Sequence, residues 1–327
     1  MNAERLEQMF QDRTKLSESI REFFRLRGYI EVETPILVAS PDMSPALSPF
    51  ETELVAADGT TRRGALITSP EFSMKKLLGE GLQKIYTLTK VFRNSDFFVD
   101  DAPKQHNPEF TMLEWYQQGM GYEAGMDETE SLVKFCLQAF GKEALQPFDR
   151  VHIPTRFKEL TGLELCDAGA EDLRTACMSL GLTTDPADTW SDLFHRIFVT
   201  HMETKLPKAG AFVYDFPKQQ AALSRLTPDG KYAERFELYI GGQELCNAFS
   251  ELTDGTEQRR RFEEEQAERT RVGKPSFPID EELIRLLPSV RQPTFGNALG
   301  VDRLLMLLTG ANSIEDILAF PARKLFT

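Results

Sequence analysis

The sequence predicts an α+β protein built on an antiparallel β-sheet that is flanked by helices and carries a helical insertion at about 122–205. Short strand-like runs lie near both ends of the chain, and helical periodicity fills its middle. Gly241-Gly242, between two alternating segments, is a two-residue hairpin signal. No repeat of fixed period occurs, so we expect residues 1–327 to form one domain.

Before residue 120 we expect one long helix, one short helix and a series of short strands. Apolar residues three and four apart predict the long helix, which Gly28 ends. The first strand must stop at Pro35 because proline lacks an amide donor. Ser69 and Pro70 suit the cap and first turn of the short helix. The helices are expected at 4–27 and 71–79, and the strands at 29–34, 50–55, 65–68, 84–88, 90–93 and 109–116.

The rest of the chain starts with the insertion, where apolar residues recur at helical spacing. Strands then return, and the glycine pair joins two of them as a hairpin. An apolar segment that begins at Gly300 closes the chain. The strands are expected at 211–216, 234–240 and 243–249, followed by a charged helix at 254–272.

Composition excludes several functions. The formal charge of −13 argues against broad capture of nucleic-acid phosphates. The N-terminus carries no secretory signal and no apolar run reaches about 18 residues, so we expect a cytoplasmic protein with no membrane segment. The cysteine spacing fits neither a zinc site nor a disulfide framework. Reduced thiols are expected at Cys136, Cys166, Cys177 and Cys246.

The first candidate cluster is a strand with period two, which places Phe110, Met112, Glu114 and Tyr116 on one face. This face offers an aromatic surface for a flat heterocycle, and a carboxylate and a phenol for an amine. Arg93, on a neighbouring strand, offers a fork of donors for a phosphate or carboxylate. A half-buried strand with a salt bridge is an equally good interpretation of this cluster alone.

The second cluster is the hairpin, where a two-residue loop pairs residue 239 with 244 and 237 with 246. Glu237 and Glu244 then lie diagonally, about 7–8 Å apart at the backbone, and their oxygens suit Mg²⁺. Pairing of each carboxylate with Lys or Arg is the alternative. Glu251 and Asn247 follow, but strict alternation puts Asn247 on the other face, so a role there requires a bulge.

The third cluster is Gly300-Val301-Asp302-Arg303, where small residues lead into an apolar helix. A helix N-terminus beside an arginine is suited to an anion. Ser69-Pro70-Glu71 is a weaker signal, because a first-turn Glu usually complements the helix dipole. Hydrolase-elbow, P-loop and dinucleotide-binding glycine motifs are absent from the sequence.

Together the clusters resemble the three signature motifs of class II aminoacyl-tRNA synthetases, in order and at similar spacing. The motifs are Gly28 to Pro35, Phe92-Arg93-Asn94 through Tyr116, and Gly300-Val301-Asp302-Arg303. Four segments are similar to the lysyl branch, namely Ser69-Pro70-Glu71, His106 to Thr111, Arg235-Phe236-Glu237 and Asn247 to Leu252.

The resemblance implies the catalytic core fold of that class and a set of site residues. Arg93 and Arg303 are the implied catalytic residues, with Phe110 and Arg303 on either side of the adenine. Glu237 and Glu244 are the implied ligands of Mg²⁺. The implied ATP-binding residues are Arg93, Asn94, Ser95, His106, Asn107, Phe110, Glu244, Leu245, Gly300 and Arg303. The implied amino-acid-binding residues are Ser69, Pro70, Glu71, Glu114, Tyr116, Asn247, Glu251 and Ala298.

Motif 1 lies close to the N-terminus, whereas a lysyl-tRNA synthetase begins with an anticodon-binding OB-fold, so we expect that domain to be missing. The arrangement resembles truncated lysyl-synthetase paralogues that attach (R)-β-lysine to a lysine of elongation factor P. Ala298 supports this, because lysyl-tRNA synthetases carry Gly there and one carbon in a pocket changes discrimination by about 1–3 kcal/mol. The implied activity is ATP-dependent activation of lysine or (R)-β-lysine to an aminoacyl-adenylate, then transfer to elongation factor P without tRNA.

Two alternatives stay open: a tRNA or another amine as acceptor, or a catalytically silent paralogue that acts as a sensor. Ser95 stands where the family usually has Glu, and Asp96 is the possible substitute. The loop before His106 lacks the family's Arg, for which Lys104 is the possible substitute. In this class motif 1 packs across a two-fold axis, so the resemblance also implies a homodimer.

Overall fold

The computed structural model describes residues 2–94, 106–143 and 146–326. Its helices are α1 (Ala3–Leu26), α2 (Glu71–Gly79), α3 (Tyr122–Ala139), α4 (Ile153–Thr161), α5 (Ala170–Ser179), α6 (Trp190–Ile197), α7 (Gly255–Arg271), α8 (Glu281–Leu286), α9 (Val301–Thr309) and α10 (Ala322–Leu325). Its strands are β1 (Ile30–Glu31), β2 (Leu37–Val38), β3 (Glu51–Val55), β4 (Thr61–Leu66), β5 (Lys84–Phe92), β6 (Glu109–Gln118), β7 (Asp149–His152), β8 (Ala211–Pro217), β9 (Tyr232–Ile240), β10 (Gln243–Ser250) and β11 (Thr294–Gly300).

A mixed sheet forms the centre of the described residues, with the strand order β1-β5-β6-β11-β10-β9-β8-β7. The strands from β5 to β8 in this order pair antiparallel, which confirms the predicted sheet. The edges differ from the prediction, because β1 and β7 pair parallel with their neighbours. In each parallel pair, a long crossover segment of the chain joins the two strands, as parallel pairing requires. A smaller antiparallel sheet has the order β2-β4-β3.

One face of the large sheet is apolar and is covered by α1, α3 and α9. The predicted stripe of α1 is confirmed, since Ile20, Phe23 and Phe24 are fully buried there. They pack with Leu113 and Trp115, which point to this face from β6. Burial of each large apolar side chain contributes about 1.5–3 kcal/mol. Because side chains alternate along a strand, Met112, Glu114 and Tyr116 of β6 face the opposite side of the sheet.

The predicted helical insertion at 122–205 contains α3, which packs in the first apolar cluster with α1, and then α4, α5 and α6, which share a second apolar cluster. The cluster includes Phe157, Leu173 and Ile197 from these helices, and Val213 and Tyr239 from the sheet. This later part of the insertion therefore packs against the β7 end of the sheet. The strand β7 within it was not predicted, since its four residues alternate too briefly to form a pattern.

β11 is the main element that the sequence analysis missed. Gly296, Ala298 and Gly300 have low strand propensity, so this stretch was interpreted only as a lead into the apolar helix. Pairing with β6 on one side and β10 on the other overrides that propensity. The cap of α2 also differs by one residue, because Pro70 occupies the cap position. Within the described ranges, no helix combines the length and apolar character that crossing a membrane requires.

Candidate active site

The site lies on the sheet face opposite α1, and one row of paired residues crosses its centre. Glu114 of β6 pairs with Ala298 of β11, and Ala298 pairs with Asn247 of β10. Asn247 in turn pairs with Glu237 of β9. With strands about 4.8 Å apart, this row spans about 14 Å. The fold thus brings the three sequence clusters together on one surface.

A β-bulge in β10 makes this row possible. The predicted pairing of residue 239 with 244 is confirmed, but that of 237 with 246 is wrong, because Cys246 pairs with Leu238 and Asn247 pairs with Glu237. The extra residue lets Leu245 and Cys246 both enter the apolar core. Asn247 therefore returns to the site face, where its Oδ1 accepts a hydrogen bond from Arg235 Nε at 3.0 Å.

Two buried carboxylates, Glu114 and Glu251, and the largely buried Glu71 form an amine pocket, which we define as Glu71, Glu114 and Glu251 with the groups that hold them. Glu114 is fully buried, and it accepts hydrogen bonds from Ser69 Oγ at 2.5 Å and Tyr116 Oη at 2.8 Å. Ser69 Oγ also accepts the Glu71 amide at 3.1 Å, which ties the start of α2 to β6. These hydrogen bonds fix the positions of carboxylates whose chemistry suits ammonium groups.

A buried lysine also lies in the amine pocket, and the sequence analysis missed it. Lys75 Nζ lies 2.5 Å from Glu71 Oε1 and 2.6 Å from Glu251 Oε2, and the lysine is 2% exposed. The signal was present in the sequence, because Lys75 stands four residues after Glu71 in a predicted helix. Glu251 Oε1 is buried and accepts no hydrogen bond among the described residues.

Gly296 lets the pocket residues approach β11 closely. A Cβ at this position would lie 2.0 Å from Glu251 Oε1 and 2.5 Å from the Tyr116 ring. Only glycine leaves space for both side chains, so the backbone of β11 forms one wall of the amine pocket.

Burial shifts the pKa values of the pocket carboxyls. It raises the pKa of Glu114 to about 8, and the neighbouring charge of Glu71 acts in the same direction. It also raises the pKa of Glu251 to about 8, although Lys75 opposes that shift. A bound cation would favour the ionised forms, so this pocket gains most from a ligand that carries positive charge.

Two arginines form the anion side of the site. The guanidinium of Arg93, just after β5, lies 5.3 Å from the centre of the Phe110 ring, and its Nε is buried without an acceptor in the described part of the chain. Arg303, in the first turn of α9, donates to the Glu244 carbonyl at 2.7 Å and contacts His106 Nε2 at 2.9 Å. An orphaned buried donor beside a second arginine fits a phosphate or carboxylate. Phe110, which the resemblance assigns to adenine, is thus next to Arg93.

Glu237 and Glu244 lie close enough to influence each other. Burial and the charge of Glu237 raise the pKa of Glu244 to about 7. Glu237 accepts hydrogen bonds from Arg235 Nη2 at 2.5 Å and Tyr239 Oη at 2.8 Å. In the described ranges no group of three or more His, Cys, Asp or Glu side chains could hold a metal ion. Two carboxylates fit Mg²⁺ that is held mainly by substrate phosphates.

The remaining implied ATP-binding residues lie around the arginine pair. Asn107 Oδ1 accepts the Ala322 amide at 2.9 Å, which ties it to α10. The side chain of Leu245 is buried in the apolar core, so only its backbone can face a ligand. Gly300 caps α9, and Asn94 follows β5 directly. Ser95, Asp96 and Lys104 lie outside the described residues.

Comparison with known proteins agrees with this geometry. The family of class II tRNA synthetases (D, K and N) matches residues 1–324. The elongation factor P–(R)-β-lysine ligase of Yersinia enterocolitica is 40% identical over 320 residues, which cover 95% of this chain and 94% of that protein. The ligase of the same name from Vibrio vulnificus is 39% identical over 321 residues, 97% of this chain and 96% of its own length. The chain belongs to the class II tRNA synthetase family.

Proposed function

We propose that the chain is an ATP-dependent ligase that activates a lysine-type diamino acid, most favourably (R)-β-lysine, and transfers it to a lysine of elongation factor P in the cytoplasm. The observation that carries this proposal is the amine pocket beside the arginine pair. Three neighbouring carboxylates, two of them buried, suit a substrate with two ammonium groups, and the arginines suit its carboxylate and the phosphates of ATP. Two relatives that match almost the whole chain are elongation factor P–(R)-β-lysine ligases, which supports the same substrates.

The chemistry requires positioning and charge neutralisation rather than a nucleophilic side chain. A carboxylate oxygen of the amino acid attacks the α-phosphorus of ATP, and the bond to pyrophosphate breaks. The deprotonated acceptor amine then attacks the carbonyl carbon of the adenylate, and AMP leaves with the electrons of the C–O bond. Arg93 would hold the α-phosphate and carboxylate together, while Arg303 would bind beside the adenine. Mg²⁺ bound at Glu237 and Glu244 would neutralise phosphate charge.

Amino-acid-dependent exchange of pyrophosphate into ATP tests the activation step. We expect exchange with (R)-β-lysine that exceeds exchange with lysine. Absence of exchange with every lysine isomer would refute the proposal. Tight amino-acid binding without exchange would instead favour the silent sensor, and labelling of tRNA would favour the alternative acceptor.

The pH dependence of amino-acid use follows from the raised pKa of Glu114. The pKa of Glu114 is raised to about 8, so at lower pH this carboxyl is mostly protonated in the free protein and cannot pair with an ammonium group. We therefore expect kcat/KM for the amino acid to rise from pH 6 to about 8, by up to about tenfold per pH unit. In the Glu114→Gln variant the remaining activity should depend less steeply on pH. A wild-type profile that is flat over this range would contradict the assignment.

We also propose that the chain forms a homodimer through its N-terminal region. Large apolar side chains are exposed there, with Phe10 53% exposed, Leu26 59% and Val55 69%. Exposed apolar side chains mark an interface where they form a continuous patch, and the two-fold packing of motif 1 in this class places such a patch near the N-terminus. Light scattering of the purified protein should give twice the 37.1 kDa of one chain. A mass of one chain at micromolar concentration would contradict this proposal.

A further inference from the structure

The amine pocket contains a positive charge of the protein itself, the ammonium group of Lys75. With the three carboxyls ionised, the state that a bound cation favours, the carboxylates and the Lys75 ammonium leave a net formal charge of −2. A further carboxylate, Asp42, faces Lys75 but also Arg93 and Arg269, and it accepts the Ser44 amide at 2.8 Å. A diamino acid carries two ammonium groups once its carboxylate has reacted. The pocket with Lys75 therefore matches that charge, whereas the carboxylates alone would exceed it.

The position of Lys75 also decides which carboxylate oxygens face the ligand. Its ammonium bridges Glu71 Oε1 and Glu251 Oε2, the point at which a ligand ammonium would otherwise pair with both groups. The two ion pairs use Glu71 Oε1 and Glu251 Oε2, so Glu71 Oε2 and Glu251 Oε1 remain for a ligand, and Oε1 of Glu251 is buried with no hydrogen-bond partner among the described residues. The Phe249 ring, 5.4 Å from Nζ, packs against the lysine and helps to hold it.

The neighbouring residue Lys76 shows what an ordinary lysine on the same helix does. It pairs with Asp280 at 2.7 Å and Glu282 at 3.1 Å, on the side of α2 that packs near α8. Its side chain is 25% exposed, compared with 2% for Lys75. Desolvating an ammonium is costly unless its ion pairs compensate, so helix packing alone does not require a lysine at position 75.

We infer that Lys75 is a specificity-determining positioning residue. It separates the ammonium-binding point at Glu71 from the one at Glu251, and so sets the spacing between the two amines of an accepted substrate. The inference rests on the proposed function, since it assigns Lys75 to the same amino-acid site. Lys75 keeps the ligand from bridging Glu71 and Glu251. A six-carbon diamino acid then fits better than a shorter one, whose amines are closer together.

Two variants test this inference, with Lys76→Met as the matched control. Lys75→Met removes the ammonium, and Lys75→Arg keeps the charge but replaces a point charge by a broad planar fork. Pyrophosphate exchange is measured with lysine, (R)-β-lysine and the five-carbon diamino acid ornithine, together with KM for ATP. Thermal unfolding of each variant shows whether it is folded.

For either folded Lys75 variant we expect KM for the preferred amino acid to rise about tenfold and its preference over ornithine to fall about tenfold. KM for ATP should stay within about twofold, and Lys76→Met should match the wild type in every kinetic value. A purely structural role would lower the melting temperature without changing the preference, and that result would overturn the inference. Lys75→Arg keeps the test valid if Lys75→Met does not fold. Absence of exchange in the wild type would refute the proposed function instead.

Discussion

Replacing Arg93 with methionine is expected to lower amino-acid-dependent pyrophosphate exchange on the order of 10³-fold. The guanidinium of Arg93 lies next to Phe110, and desolvation lowers the pKa of Arg93, while the charges of Asp42 and Glu244 oppose that shift. Charge that develops on the phosphate in the transition state would lose its closest fixed partner. The loss should appear mainly in kcat, because the interaction strengthens as the reaction proceeds.

Arg25→Met is the matched control for this experiment. Arg25 pairs only with Glu22 among the described residues and its side chain is 69% exposed, so the variant should keep wild-type exchange. Arg93→Lys should give an intermediate rate, because lysine keeps the charge but not the fork of donors. A reduction of less than about tenfold in Arg93→Met would exclude Arg93 from the reaction centre.

Gly296→Ala is expected to reduce kcat/KM for the amino acid on the order of 10²-fold, although it adds a single methyl group. The new Cβ would lie 2.0 Å from Glu251 Oε1 and 2.5 Å from the Tyr116 ring, so both side chains must move out of the amine pocket. Displacement of reacting groups by about 1 Å is enough for an effect of this size.

The control for this change is Gly121→Ala, where the nearest contacts of a Cβ are ordinary ones at 3.8 and 3.9 Å. Gly121→Ala should keep wild-type kinetics. KM for ATP should be nearly unchanged in Gly296→Ala, since the atoms nearest to the new Cβ belong to Glu251 and Tyr116 of the amine pocket. Wild-type use of the amino acid by Gly296→Ala would show that β11 does not form a wall of the pocket.

Local sequence pattern was enough to predict the elements that face one side of the sheet. The period-two strand 109–116 places Glu114 and Tyr116 together as predicted, because alternation depends only on backbone geometry. The α2 range of 71–79 was also correct, since Ser69 and Pro70 mark a helix start independently of tertiary contacts.

The parts that the sequence did not reveal depend on contacts between distant segments. The bulge at Leu245 follows from the apolar core, which takes up two consecutive side chains, and alternation alone placed Asn247 on the wrong face. β11 forms only because strands on both sides pair with it. The partnership of Lys75 with Glu251 joins residues 176 positions apart by their numbering, so local spacing reveals only its partnership with Glu71.

Transfer to elongation factor P is the central claim, and intact-mass spectrometry tests it most directly. The purified chain is incubated with ATP, Mg²⁺, (R)-β-lysine and elongation factor P, with total tRNA present as a competing acceptor. We predict that elongation factor P gains the mass of one β-lysyl group on a single lysine and that tRNA stays unlabelled. Unmodified elongation factor P, in a reaction that forms the adenylate or charges tRNA, would contradict the proposed function.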